Sequence, residues 1–103
     1  MKLIILFILL AIPTLLNAGV KEIYQKHCVM CHGVDGKGQT KVGVKLDIKD
    51  HSVIVIKDEV AFKSIKEGLK KGDRTLMKPY NILTDDEIKA LVKYMNEFLK
   101  KTA

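Results

Sequence analysis

Both cysteines of the chain fall in the stretch Cys28-Val29-Met30-Cys31-His32, and no other feature limits the possible folds so sharply. Two thiols at this spacing, with an imidazole directly after the second, admit three chemistries: a redox dithiol, part of a metal site, or covalent attachment of haem. On a helical turn, residues three and four apart share one face, so Cys28, Cys31 and His32 point to the same side. There two thiols can add across the two vinyl groups of haem as thioethers, and the imidazole can reach the iron as proximal ligand. The rivals are weaker on physical grounds. A thioredoxin-like dithiol belongs to a βαβ framework, and no such pattern is present. A disulfide across two intervening residues closes too small a loop to stabilise much by entropy. Zinc needs four ligands. Cys28, Cys31, His32 and one of His27 or His51 are available, but the chain has no second paired motif.

The N-terminal segment reads as separate from the fold. Met1-Lys2 is a short basic start, Leu3 to Ile12 is unbroken apolar sequence, Pro13 interrupts it, and Ala18 is a small residue suited to cleavage. That is the layout of a secretory signal peptide over residues 1–18, followed by one domain over 19–103. The apolar run falls short of the roughly 20 residues that span a bilayer, which leaves an uncleaved anchor as the rival reading. Export places the cysteines in an oxidising compartment, where free thiols are not expected to persist. The 85 residues left from 103 after removal of 18 are few for an unaided core, so a staple, metal or cofactor is expected.

Eighteen Lys and Arg against twelve Asp and Glu give a net charge of +6, yet only Arg74 is arginine. Fork-like recognition of phosphates and bases favours arginine, so nucleic acid is not the expected partner. The lysines read as a solvated surface that either steers acidic partners or serves solubility alone.

Three helices are expected. Val20, Ile23, Tyr24 and His27 share one side of a short helix over 20–27. Glycines 33, 36 and 38 then punctuate a polar loop to about Lys41. Residues 42–57 are extended or irregular, because Val53–Ile56 looks like a strand but has no partner to satisfy its backbone. A second helix runs from Asp58, as its cap, to Lys71, with Gly72 ending it. The last begins at Thr84-Asp85-Asp86-Glu87, a capping box, with Leu83 stapled to Ile88. Leu91, Val92, Met95, Phe98 and Leu99 continue its apolar face. The long, glycine-rich loops suggest wrapping around a bound group.

With these features in place, the chain resembles a small class I cytochrome c of the bacterial periplasm. The resemblance rests on YQKHCVMCHGVDGKG, RTLMKPY and TDDEIKALVKYM in that order, which span nearly all of the sequence after residue 18. It implies an all-α domain of three or more helices with long loops wrapped around one covalently attached haem c. Cys28 and Cys31 are then the thioether residues and His32 the proximal iron ligand. Met77, in a proline-containing polar loop, is the implied distal ligand. A soft, neutral thioether stabilises ferrous iron and raises the potential. Met95 reads as core filling, and Met30 lies within the attachment turn and cannot reach the opposite haem face. His51 is the rival distal ligand, but its segment bears no family motif and it reads as a polar loop residue. His27 is expected at the surface beside the haem edge. The first and last helices of the family pack together, which implies contact between Val20 or Tyr24 and Leu91 or Tyr94. Two departures stand out: Val20 replaces a frequent glycine, and the loop after Gly38 lacks the proline near the carbonyl that accepts the proximal histidine's proton.

The implied function is soluble periplasmic one-electron transfer by a protein that is not an enzyme, since both axial positions are filled. Its partners are redox proteins met transiently through acidic surfaces, with no stable membrane anchor after cleavage. The alternatives are an accessory subunit of a periplasmic oxidoreductase and a small-ligand sensor with a labile sixth position. Because so short a core is marginal without its central group, the double substitution Cys28→Ser, Cys31→Ser is expected to give a largely unfolded or rapidly degraded chain. A cooperative thermal transition in the haem-free product would contradict this.

Overall fold

The computed structural model describes residues 15–102, with side chains for 19–99. Most of the expected leader, residues 1–14, lies outside the described residues. Among the described residues no helix is long and apolar enough to cross a membrane. The chain runs α1 (Leu15–His27), α2 (Val29–His32), α3 (Lys41–Leu46), α4 (Asp58–Glu67), β1 (Leu69–Lys71), β2 (Arg74–Met77) and α5 (Asp85–Thr102). The architecture is helical with one small hairpin.

Helix α5 starts where the capping box predicts. Glu87 N–H donates to Thr84 Oγ1 at 3.1 Å, and Thr84 N–H donates to Glu87 Oε1 at 2.8 Å. Two otherwise unpaired donors are thus satisfied reciprocally. The apolar stripe of α5 lies against α1, and Val20, Tyr24, Ile88, Leu91, Val92 and Phe98 form the core with Cys28 and Ile65. Tyr24, Ile88 and Leu91 are fully buried, each worth about 1.5–3 kcal/mol relative to exposure. The Tyr24 ring meets Tyr94 at 5.1 Å and Phe98 at 5.5 Å between centroids. Of the contacts expected between Val20 or Tyr24 and Leu91 or Tyr94, that of Tyr24 with Tyr94 is present, and Val20 is buried in the same core.

Helix α4 is shorter than expected. Asp58 is its first residue and Lys57 the cap position, without a side-chain cap bond. The Asp58 carboxylate instead accepts from Asn96 of α5 at 3.1 Å. The helix stops at Gly68, not Gly72. Gly68 has φ +80°, and a Cβ there would stand 2.6 Å from the Met77 carbonyl oxygen and 2.9 Å from Pro79 N. The returning chain occupies the space that further helix would need. Leu69–Lys71 therefore pairs antiparallel with Arg74–Met77, with an irregularity between Leu69 and Lys70. Gly72, at φ +63°, takes the first of two turn positions, where a left-handed residue matches strand twist.

Residues 42–57 form no strand. Helix α3 opens this segment, capped by Thr40, whose Oγ1 accepts from Gly43 N–H at 2.8 Å. Gly43 is pressed against the carbonyl oxygens of Gly38 and Cys31, with no room for a side chain. That contact seats α3 against the cysteine turn. Gly43→Ala is expected to destabilise by about 2 kcal/mol through overpacking, read from chemical denaturation of the loaded protein; unchanged stability would show that the backbone yields freely there.

Candidate functional site

Helix α1 passes into α2 with almost no break. Cys28 N–H donates to Tyr24 O at 2.8 Å, and the Cys31 and His32 N–H groups both donate to Cys28 O, at 3.2 and 2.8 Å. Cys28, Cys31 and His32 are thereby held on one turn and share a face, as their spacing predicts. Gly33 ends the turn at φ +82°. Its carbonyl accepts the Tyr24 hydroxyl at 2.6 Å in the buried interior. Burial first, then Cys28, Tyr94 and Asp35, push the Tyr24 phenol far above its ordinary range, so it is a permanent donor. On the other side of the turn, Thr40 Oγ1 donates to Cys31 O at 2.9 Å. Gly38 N–H donates to His32 O at 2.8 Å.

Cys28 is buried, Cys31 half-buried, and both are free thiols. Burial, and secondarily Cys31, pushes the Cys28 thiol up to about 11, so it stays protonated. Burial, and then His51, holds His32 down to about 4. His32 is thus a neutral imidazole, the form with a ring nitrogen lone pair to offer. Its buried Nδ1 has no hydrogen-bond partner among the described residues, a deficiency that costs about 1–3 kcal/mol where nothing else binds. The donor set zinc requires is not assembled: among the described residues no group of three or more His, Cys, Asp or Glu side chains is placed to hold a metal ion.

His51 lies in a turn, as its sequence reading has it, and has a neighbour that spacing did not indicate. Its ring lies 5.3 Å from that of His32, and its N–H donates to Gly36 O at 2.8 Å. Asp50 turns the chain here, accepting from Ser52 N–H and from its hydroxyl at 2.9 and 2.6 Å. Beyond His51, Ile54, Ile56, Ala61, Val92 and Met95 wall an apolar hollow between residues 51–56, α4 and α5. Met95 fills core space as expected, and Met30 points to solvent at 73 % exposure.

Met77 closes β2, half-buried, and packs against the core cluster that contains Cys28. Three residues on, Tyr80 donates its hydroxyl to His27 O at 3.0 Å and its N–H to Ile65 O at 2.9 Å. The His27 ring meets Tyr80 edge-on at 5.5 Å, and Lys78 Nζ lies 5.4 Å from the Tyr80 centroid. Burial, then Cys28 and Cys31, raises the Tyr80 phenol. Sequence reading singled out neither Tyr80 nor the contact of His51 with His32. Tyr80 lies in the quoted RTLMKPY stretch, but a phenol's partner across 53 residues has no signature in spacing.

The fold and this turn now have their counterpart among known proteins. The family model described as cytochrome c matches residues 18–98, and the chain belongs to that family, as a class I cytochrome c. Among solved structures it is similar to the KustC0563 c-type cytochrome, at 32 % identity and a TM-score of 0.64. That alignment covers 76 % of this chain and 94 % of the other. No curated protein gives a significant match. The family's cofactor is haem c, covalently attached at a turn of this kind, and its members carry electrons. Two free thiols beside a neutral, incompletely satisfied imidazole on one face suit that group.

The Tyr24–Gly33 bond should matter more than its single count suggests. Tyr24→Phe leaves the ring packing and strands a buried carbonyl, at an expected cost of about 1–2 kcal/mol. In a domain of this size that lowers the thermal midpoint by about 4–8 °C per kcal/mol. An unshifted melt of the loaded protein would remove this bond from the turn's support.

Proposed function

We propose that this protein is an exported, periplasmic one-electron carrier in which Cys28 and Cys31 hold haem c through thioethers. His32 is the proximal ligand and Met77 the distal one. The observation that carries this reading is the union, on one helical turn, of two free thiols and a buried neutral imidazole, in a chain of the cytochrome c family. When bound, the haem supplies a ferric–ferrous couple.

The chain's residues hold that group and keep water from it. Cys28 and Cys31 make its loss impossible without bond cleavage. Tyr24 and Thr40 fix the turn from opposite sides, so His32 keeps one orientation through a change of oxidation state. Ile54, Ile56 and Met95 offer an apolar wall. His32 and Met77 would both hold the iron, and a substrate would then have to displace a side chain to reach it, which favours a carrier over an enzyme. Lys26 in the last turn of α1 and Lys78 over Tyr80 flank the attachment turn. They suit brief, salt-sensitive docking on acidic redox partners. The basic start and apolar run of residues 1–18 supply the export signal for this location.

The test is spectroscopic. The exported protein is expected to show one covalent haem c by pyridine haemochrome and mass, with a mature chain beginning at Gly19. Its ferric spectrum is expected to be low-spin with a weak far-red band, lost in Met77→Ala. A band that survives Met77→Ala, or a colourless product from a host that assembles such proteins, overturns the assignment.

A further inference from the structure

We propose that Tyr80 is a positioning residue for the distal ligand: its hydroxyl, bonded to the His27 carbonyl, holds Met77 against release from the iron. This rests on the reading of Met77 as that ligand.

Tyr80 ties together the stretch that leads into Cys28 and the stretch that follows Met77. His27 immediately precedes Cys28 and lies one turn from His32. Tyr80 lies three residues beyond Met77. The 3.0 Å bond between them joins positions 53 apart in sequence. Around it the loop is confined on two further sides. The Tyr80 N–H is bonded to Ile65 O, and the backbone from Met77 to Pro79 lies on Gly68, where no Cβ would fit. Pro79, with its fixed φ, stiffens the link between Met77 and the phenol. A ligand on so short and stiff a tether has a high effective concentration at its binding position. With haem bound, such a tether would favour Met77 over a competitor for the iron. Without the hydroxyl, the loop keeps its backbone anchors on Ile65 and Gly68 but loses its one tie to the residue before Cys28.

Tyr80→Phe isolates the effect. It keeps the ring, with its edge contact to His27 and the Lys78 ammonium above it, and deletes one hydrogen bond at a half-buried site. Imidazole is the competitor, titrated into the ferric loaded protein and followed by loss of the far-red band. The apparent imidazole affinity of Tyr80→Phe is expected to rise about three- to tenfold, the factor one net hydrogen bond supplies. The band itself persists without imidazole. Val20→Ala is the control, since it weakens the buried contact of α1 with α5 without touching the loop. It is expected to lower the denaturation midpoint and leave imidazole affinity unchanged. An unchanged affinity in Tyr80→Phe, or a rise in Val20→Ala in proportion to lost stability, overturns the positioning role. Absence of the far-red band from the parent protein, or its survival in Met77→Ala, instead overturns the ligand assignment beneath it.

Discussion

The Tyr24 hydroxyl reaches the Gly33 carbonyl because its ring is already wedged against Tyr94 and Phe98 of α5. One side chain thus ends a local turn and belongs to the longest-range packing in the domain. The same aromatic group governs the loop beyond: Gly36 lies on the Phe98 ring so closely that a Cβ would collide with it. Gly36 in turn offers its carbonyl to His51, whose ring faces His32. From α5, through two rings and two glycines, packing far along the sequence supports the geometry of the cysteine turn.

Two kinds of constraint therefore meet at the site. Cys28, Cys31 and His32 are brought together by helical hydrogen bonds between near neighbours, a local effect that needs little from the rest of the chain. Met77 is set against the hydrophobic core by a hairpin, a glycine contact and the anchoring of Tyr80, all of them long-range. The surface adds little: the Lys66–Asp85 ion pair at 2.9 Å has side chains 44 % and 58 % exposed, and such pairs contribute about 0–1 kcal/mol. Cohesion comes from the buried seam between α1 and α5.

What could be read from the sequence follows that division. The capping box of α5, the shared face of the cysteine turn and the pairing of Tyr24 with Tyr94 were legible, through local hydrogen-bond chemistry, helical spacing and family resemblance. The end of α4 was not, because Gly68 acts through Met77 and Pro79, whose return across it is a tertiary event. Helix α3 hid in a stretch of mixed polarity, where Thr40 as a cap was the one cue and Gly43 argued locally against a helix. His51 and Tyr80 lay outside any periodic pattern. Their contacts depend on where loops come to rest, which spacing does not encode.

The burial of Cys28 ties the reach of its sulfur to the seam between the first and last helices. Its sulfur lies in the finished core, behind a seam whose second half is α5, near the far end of the chain. A thiol reagent reaches that atom only where the two helices part. The reactivity of this one sulfur is thus a gauge of how far the last helix has moved from the first.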